Sequence, residues 1–389
     1  MKLRIHVISL PHTKTNKLYC ACAYTQKILN FCKMMHSLGH TVFHYGAEGS
    51  QVECTEQIQI ISDAEQRHYF GATDWKKNTF PIKWDSREPY WDLTNVRAAT
   101  EINKRKQKQD FVCVVGGVCQ KPLTDLVGES HTINVEPFVG YYGIYTKYRA
   151  FESYTHQSCV YGTMSGDPNG QLYDCVIPNY YDPSDFSIST ERKDYLLYIG
   201  RLISRKGILI ALQTAKATGR KLIMAGQGVK EITSDRLVTE EGITIPLGDD
   251  VEYFGYAGVE ERRKLMGEAH AILMPTLFME PFGGVAVESQ LCGTPVISTD
   301  HAAFTETVKH GETGYRCHSL EQFVWAVEHT DELHLPDVIR DIALANYSID
   351  KVKYMYDEWF NMLLGLWGSG WPDLTRLEER KNLDWLHKI

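Results

Sequence analysis

The stretch YLLYIGRLISRKG occupies residues 195–207, and its pattern indicates the fold class. The apolar run at 195–199 ends at a glycine, which predicts a short buried strand. Gly207 then opens a helix predicted over residues 208–217. Arg201 consequently lies at the carboxyl end of the strand, which is the edge where open α/β sheets bind ligands.

Two cations in this turn suit an anionic ligand. Arg201 offers a planar fork that can hold two phosphate oxygens, and Lys206 adds a mobile point charge. Taken alone, these residue types favour a simpler interpretation, in which both side chains are solvated on a surface turn. A second stretch of the chain changes that balance.

The stretch AILMPTLFMEPFGGVAVE occupies residues 271–288 and joins another buried strand to another helix start. Gly283 and Gly284 carry no side chains, so the backbone there can approach a ligand closely. The first N–H groups of the helix predicted over 285–291 have no intrahelical acceptor, and the positive end of the helix dipole favours an anion.

Two glutamates bracket these glycines. Glu288 lies in the first turns of the helix, where its carboxylate is well placed to accept hydrogen bonds from two vicinal hydroxyls of a ribose. Glu280 precedes the glycines and can reach the hydroxyls of a sugar. The alternative is a pair of ordinary surface glutamates, because acids are favoured near helix starts in any case.

In these motifs the chain resembles the retaining glycosyltransferases of family 4, which have the two-domain GT-B fold. The family pattern contains Gly-Arg-Leu, a nearby Lys-Gly, Glu-Pro-Phe-Gly and a second glutamate eight positions after the first. All of these are present, and the resemblance extends over residues 176–330 through CGTPVI at 292–297 and GETGY at 311–315.

The resemblance implies a role for each matching residue. Arg201 and Lys206 would hold the donor diphosphate, Glu280 and the backbone of residues 282–284 the donor sugar, and Glu288 the ribose. The catalytic residues that it implies are Arg201, Lys206 and Glu280. The donor-binding residues that it implies are Gly200, Tyr256, Pro281, Phe282, Gly283, Gly284, Val285 and Glu288.

The acceptor side is less well specified by the sequence. Family members often carry a Gly-Gly-rich first loop, whereas this chain has Lys14-Thr15-Asn16 there. Many also place a histidine after a later strand, where this chain has Gln120. Thr15, Asn16 and Gln120 are therefore our candidates for acceptor contacts.

The expected fold class is α/β, with two Rossmann-like domains facing a central cleft. We predict an acceptor domain over 1–188, a donor domain over 189–350, and a crossover helix with a tail over 351–389 that packs on the first domain. In the first domain we predict strands at 3–10, 41–45, 110–117 and 132–135, the last ended by Glu136-Pro137. Helices are predicted over 24–38 and from about Thr94, and the tail tryptophans Trp367, Trp371 and Trp385 are expected to be packed.

Composition narrows the class of protein further. The 389 residues are 43% hydrophobic, enough for two cores, and hold no run long enough to cross a membrane. The first residues are too polar for a secretory signal. The ten cysteines are scattered and form no Cys-x-x-Cys pair, so we expect no zinc site and a reduced, cytoplasmic protein. Peripheral association with a membrane is left open. The net charge of −8 offers no overall basic surface for nucleic acid, and the basic runs at 76–87 and 104–108 are interpreted as solvated.

Together with the resemblance, these observations predict a metal-independent hexosyltransferase that uses a nucleotide diphosphate sugar, UDP-linked, and no other cofactor. The resemblance implies that the transfer is retaining. Asp249-Asp250 is not an Asp-x-Asp metal motif. The acceptor stays open among a glycan, a lipid-linked sugar and a small molecule. Three alternatives remain: transfer to a hydroxymethylated nucleobase of viral DNA, a GT-B phosphorylase, and a non-catalytic module that binds sugar nucleotides.

Overall fold

The alternation of buried strands and helices produces two α/β units, each with its own sheet and hydrophobic core. Packing assigns to the first unit the residues up to Ala72, Pro81–Tyr180 and a helix that begins at Ile349. Tyr181–Ser348 form the second unit, together with the short segment Thr73–Phe80. The computed structural model describes residues 2–72, 74–76, 78, 80–128, 131–163 and 169–366.

The first unit is built on a seven-stranded sheet in which every strand pair is parallel. Its elements in chain order are β1 (Arg4–Ile8), α1 (Ala23–Ser37), β2 (Thr41–Ala47), β3 (Glu56–Ile61), α2 (Asp63–Phe70), α3 (Pro89–Arg105), β4 (Asp110–Cys113), α4 (Lys121–Val127), β5 (Thr132–Val139), β6 (Tyr148–Phe151), α5 (Tyr154–Thr163) and β7 (Cys175–Val176). The strand order is β3-β2-β1-β4-β5-β6-β7, the doubly wound order with a switch between β1 and β4.

Two strand ends differ from the prediction for physical reasons. Glu136 and Pro137 do not end their strand, because β5 continues past them through an irregularity in its pairing with β6, where Phe138 has a φ of 46°. A local bulge of this kind accommodates the missing N–H of a proline. The strand predicted over 110–117 stops at Cys113, because Val115 and the residue after it donate their N–H groups to the side chain of Gln120. The helix predicted from about Thr94 begins earlier, since Pro89 occupies its first turn.

The second unit has a parallel six-stranded sheet and a small antiparallel sheet. Its elements are β8 (Tyr195–Ile199), α6 (Ile208–Thr218), β9 (Lys221–Ala225), β10 (Val229–Ile232), β11 (Arg236–Thr239), β12 (Thr244–Pro246), β13 (Val251–Gly255), α7 (Val259–Glu268), β14 (Ala271–Met274), α8 (Gly284–Leu291), β15 (Val296–Thr299), α9 (Phe304–Thr307), β16 (Gly314–Cys317), α10 (Leu320–Glu328) and α11 (Pro336–Tyr347). The order β13-β9-β8-β14-β15-β16 repeats the doubly wound pattern, with the switch between β8 and β14.

The long helix predicted over 351–364 is α12 (Ile349–Leu366), and it packs on the first unit. Its buried aromatic face meets α1, where the rings of Phe31 and Tyr356 lie 5.1 Å apart in an edge-to-face contact. Apolar side chains of α12 thereby become part of the first unit's hydrophobic core. The tail with Trp367, Trp371 and Trp385 lies outside the described residues.

Within the part of the chain that the structure describes, no helix is both long and apolar enough to span a bilayer. All ten cysteines are free thiols, and six of them are buried.

Candidate functional site

The predicted ligand-binding residues of the second unit collect at the switch point of its sheet. The turn after β8 carries Arg201 and Lys206, and the chain after β14 carries Glu280. Because β8 and β14 are neighbouring parallel strands, their carboxyl ends open onto the same edge. The two predicted motifs, some eighty residues apart in sequence, are thus brought together by the sheet.

Glycine makes this close approach possible. Gly207 has a φ of +75°, and a Cβ at this position would lie 1.9 Å from the carbonyl oxygen of Pro275. A hydrogen bond joins the same two segments: the backbone N–H of Leu277 donates to the carbonyl oxygen of Arg205 at 2.8 Å. The turn after β8 is therefore fixed directly against the chain that leaves β14.

Lys206 and Glu280 form an ion pair across this contact, with Nζ 2.5 Å from Oε2. Both side chains are largely buried, at 19% and 14% exposure. The ring of Phe278 lies beneath the cations, 4.8 Å from Nζ of Lys206 and 4.9 Å from Cζ of Arg205. The pair is consequently held in place by packing as well as by charge.

Arg201 differs from Lys206 because its side chain is exposed. Among the described residues, no hydrogen bond or ion pair engages its guanidinium. Its backbone is fixed by the hydroxyl of Tyr198, which donates to the carbonyl oxygen of Arg201 at 2.9 Å. Burial, followed by the nearby charge of Glu280, raises the pKa of Tyr198, so this hydroxyl stays a donor. An anion at this edge would therefore meet the guanidinium of Arg201, whose backbone is fixed and whose charge has no ion-pair partner among the described residues.

The start of α8 supplies free backbone donors next to these charges. Gly283 is left-handed, with a φ of +77°, and a Cβ there would lie 2.5 Å from the ring of Phe304. At Gly284 a Cβ would lie 2.5 Å from the hydroxyl of Tyr181. No side chain caps the helix, and no acid occupies its first turn. Its first N–H groups are thus available to an anionic ligand.

Three further predicted donor residues take different places around this helix start. Phe282 is buried, and its ring packs 5.7 Å from that of Tyr347, so only its backbone can contact a ligand. Pro281 and Val285 flank the glycines and are half-buried. Gly200 directly follows β8, and its N–H donates to the carbonyl oxygen of Ala225 on β9 at 3.0 Å.

Glu288 is held by a residue that sequence reasoning missed. Its carboxylate forms an ion pair with Arg262 of α7, and both side chains are largely buried. The sequence offers a weak signal for this contact, since Arg262 is one of three consecutive cations after two glutamates and reads as a solvated helix face. The pairing places the carboxylate of Glu288, the predicted ribose ligand, on the α7 side of the sheet edge. Tyr256 lies on that same side, directly after β13, and is half-buried.

The three acceptor candidates lie in the first unit, and all are buried. The hydroxyl of Thr15 bonds with Ser9 at 2.9 Å, and the side chain of Asn16 caps a short helix by accepting from the N–H of Leu18 at 3.0 Å. Gln120 accepts two backbone N–H groups, as described above, and donates to the carbonyl oxygen of Ser9 at 3.2 Å. Each of these side chains supports the loops at the carboxyl edge of the first sheet.

Comparison with known proteins shows which family the sequence of the second unit resembles. Residues 184–330 match the family model of glycosyl transferases group 1. This matched domain lies within the second unit and contains both halves of the switch-point site. Among curated relatives, an uncharacterised glycosyltransferase of Methanocaldococcus jannaschii is 25% identical over 41% of this chain and 39% of its own length. A glycogen synthase of Mycobacterium tuberculosis is 32% identical over 31% of this chain and 30% of its own length. The match thus spans well under half of these curated relatives.

Solved structures extend the likeness to almost the whole chain. Sucrose-phosphate synthase from Thermosynechococcus elongatus matches with a TM-score of 0.67 at 16% identity, covering 93% of this chain and 99% of that one. The Anabaena protein HepE, solved with UDP and glucose, matches with a TM-score of 0.63 at 12% identity, covering 92% and 99%. At these identities the likeness concerns the fold, and the two Rossmann-like units constitute the GT-B fold.

Replacing Gly207 tests the contact that assembles the site. We expect Gly207→Ala to lower the free energy of unfolding by about 2 kcal/mol or more, because it combines left-handed strain with overlap on a backbone carbonyl. The matched control is Gly248→Ala, where a Cβ would meet open space and φ is not positive. Urea unfolding followed by circular dichroism measures both variants, and equal midpoints would contradict the close approach.

Proposed function

We propose that this protein is a retaining glycosyltransferase of family 4, which moves a sugar from a UDP-linked donor to an acceptor hydroxyl. The observation that carries the proposal is the exposed guanidinium of Arg201, which lacks a hydrogen-bonding partner within the described chain beside the Lys206–Glu280 pair. This arrangement occurs at the switch point of a sheet that matches the group 1 glycosyltransferase model.

The diphosphate of the donor would be bound by three groups. Arg201 can hold two oxygens at once, Lys206 lies at the opposite side of the turn, and the N–H groups at the start of α8 point to the same edge. Because Lys206 is already paired with Glu280, its ammonium would be shared between the carboxylate and a phosphate oxygen. Arg201 therefore supplies the larger part of the new charge compensation.

The sugar and the ribose would each be bound through a glutamate. Glu280 stands next to the diphosphate position and is suited to accept hydrogen bonds from sugar hydroxyls. Glu288 is suited to accept bonds from the ribose, since its pairing with Arg262 fixes the carboxylate on the α7 side. A UDP-linked donor is favoured because a protein of the same fold, HepE, was solved with UDP and glucose.

The reaction would break the bond between the anomeric carbon and the diphosphate oxygen. Positive charge then develops on the sugar, and the leaving diphosphate gains negative charge. Arg201, Lys206 and the start of α8 stabilise that developing charge. The acceptor oxygen forms the new bond on the face that the diphosphate leaves, so the configuration is retained, and the hydroxyl proton passes to the leaving phosphate.

The proposed acceptor is a glycan, a lipid-linked sugar or a small molecule. Transfer to a nucleobase of DNA is less favoured, because several cations of the basic runs are already engaged in ion pairs within the protein. Lys104 pairs with Glu101 at 2.5 Å, and Arg105 with Glu56 at 2.6 Å. A phosphorylase would require inorganic phosphate for sugar release, and a non-catalytic module would bind a donor without consuming it.

Removing either cation tests the donor assignment. We expect Arg201→Ala and Lys206→Ala each to lower turnover by a factor of about 100 or more, the scale for losing one partner of transition-state charge. The control is Arg236→Ala, an exposed cation on β11. Release of nucleoside diphosphate is measured with uridine-, guanosine- and adenosine-linked sugars, with and without added phosphate. Near wild-type rates in both variants would refute the assignment.

Replacing Glu288 should separate binding from chemistry. We expect Glu288→Gln to weaken donor affinity with little change in kcat, because the ribose is held equally in the ground and transition states. Glu280→Gln should instead lower kcat, since it contacts the reacting sugar. Calorimetric titration and initial rates measure both effects, with Glu260→Gln on the exposed start of α7 as control. Unchanged affinity in Glu288→Gln would exclude the ribose role.

Chelation tests whether the cationic side chains take over the role of a metal ion. We expect full activity in excess EDTA, because the side chains and the helix start already compensate the leaving charge. Among the residues that the structure describes, no cluster of three histidine, cysteine or acidic side chains is arranged to hold a metal ion. Initial rates before and after chelation give the result. Activity that falls in EDTA and returns with Mg²⁺ or Mn²⁺ would contradict the expectation.

A further inference from the structure

The segment Thr73–Phe80 lies between α2 and α3 in the chain, yet it packs with the second unit. Gln227 holds it there. The side-chain amide of Gln227 donates hydrogen bonds to the carbonyl oxygens of Trp75 and, at 3.1 Å, Asn78. The Gln227 side chain is nearly buried, at 9% exposure, so these two bonds form a specific attachment rather than a passing surface contact.

Gln227 also connects this segment to the turn that carries Arg201. It follows β9, the strand next to β8, and its carbonyl oxygen accepts the N–H of Leu202 at 2.9 Å. One residue thus binds the Arg201 turn through its backbone and the segment through its side chain. The segment is therefore fixed at the same carboxyl edge as the predicted diphosphate site.

Trp75 lies on this segment with a half-buried ring. The ring meets Tyr256 in an edge-to-face contact, with centroids 5.5 Å apart and planes at 87°. Tyr256 follows β13, and β13 lies beyond β9 on the side of the sheet away from β14. Two aromatic side chains consequently stand together at the β9–β13 end of the edge.

A nucleotide would extend from the switch point toward this end. Arg201 and Lys206 fix the diphosphate at β8 and β14. The Arg262–Glu288 pair sets the ribose position toward α7, the helix that follows β13. The base, attached to the ribose at the far end from the phosphates, then approaches the carboxyl ends of β9 and β13, where the aromatic pair lies.

We propose that Trp75 forms one wall of the pocket for the base of a nucleoside diphosphate, with Gln227 as its positioning residue. This inference rests on the proposed function, because it uses the donor's placement at the switch point. Aromatic side chains stack on any nucleobase through their π faces, so Trp75 contributes affinity for the nucleoside part. The phosphates are bound separately and do not depend on it.

That separation provides the experiment. Calorimetric titrations of the full chain with UDP, GDP and ADP are compared with titrations of inorganic pyrophosphate, which lacks base and ribose. We expect Trp75→Ala to weaken binding of the preferred nucleoside diphosphate about tenfold, within the range for losing one base–aromatic stack. Trp75→Phe should recover most of the affinity, and pyrophosphate binding should not change.

Two more variants complete the comparison. Gln227→Leu keeps the size of the side chain but removes its donors, and we expect it to weaken nucleoside diphosphate binding without affecting pyrophosphate. Trp325→Ala removes an exposed tryptophan on α10 that stacks on His329, and it should bind every ligand as the wild type does.

The outcomes separate this inference from the function on which it rests. If the wild type binds no nucleoside diphosphate, the proposed function fails. If Arg201→Ala loses UDP and pyrophosphate together while Trp75→Ala binds UDP as the wild type does, only the role of Trp75 is overturned. Tighter nucleotide binding by Trp75→Ala would also overturn it, because the ring would then be obstructing the pocket.

Discussion

The turn after β8 and the chain leaving β14 meet in a space that exists only because Gly207 has no side chain. The carbonyl of Pro275 fills the position that a Cβ would take, and the N–H of Leu277 bonds to the turn. The ion pair at this edge depends on that contact. It sets Lys206 against Glu280, and Arg201 lies in the same turn as Lys206, between β8 and α6. A parallel sheet brings strand ends together, but the contact determines which side chains face each other.

Charge is unevenly distributed along this edge. Both glutamates of the second motif already have a cationic partner, Glu280 in Lys206 and Glu288 in Arg262. These partners lower the electrostatic cost of keeping two carboxylates near the same sheet edge. They also hold the glutamate oxygens in fixed positions, which suits the hydroxyl contacts that we propose. The guanidinium of Arg201, by contrast, is exposed and has no ion pair or hydrogen bond among the described residues.

How far the sequence predicted this structure depends on the range over which each interaction acts. The fold class was accessible because buried strands and glycine-led helices leave a local pattern, and the α/β fold with two Rossmann-like units is confirmed. Positions of Arg201, Lys206 and Glu280 on the sheet edge followed from the same local signals. The extension of β5 past Pro137 did not, because a bulge depends on the neighbouring strand.

The interactions that the sequence missed are long-range contacts between polar residues of ordinary type. Arg262 reads as one cation of a solvated helix face, and only the folded α7 and α8 bring it to Glu288. Gln227 and Trp75 are about 150 positions apart, and neither carries a motif. Such contacts leave no periodicity in the sequence, since each depends on one side chain meeting groups that lie far away along the chain.

The placement of the segment Thr73–Phe80 also affects how the protein reaches its folded state. On the ribosome Trp75 emerges long before Gln227, Tyr256 and most of the second sheet have been synthesised, so its attachment must wait until those strands have formed. The same connectivity limits dissection of the molecule. A fragment that begins at Tyr181 would contain the Rossmann-like sheet and its ion pairs but would lack the tryptophan. The second unit is thus continuous in space while being assembled from two distant parts of the chain.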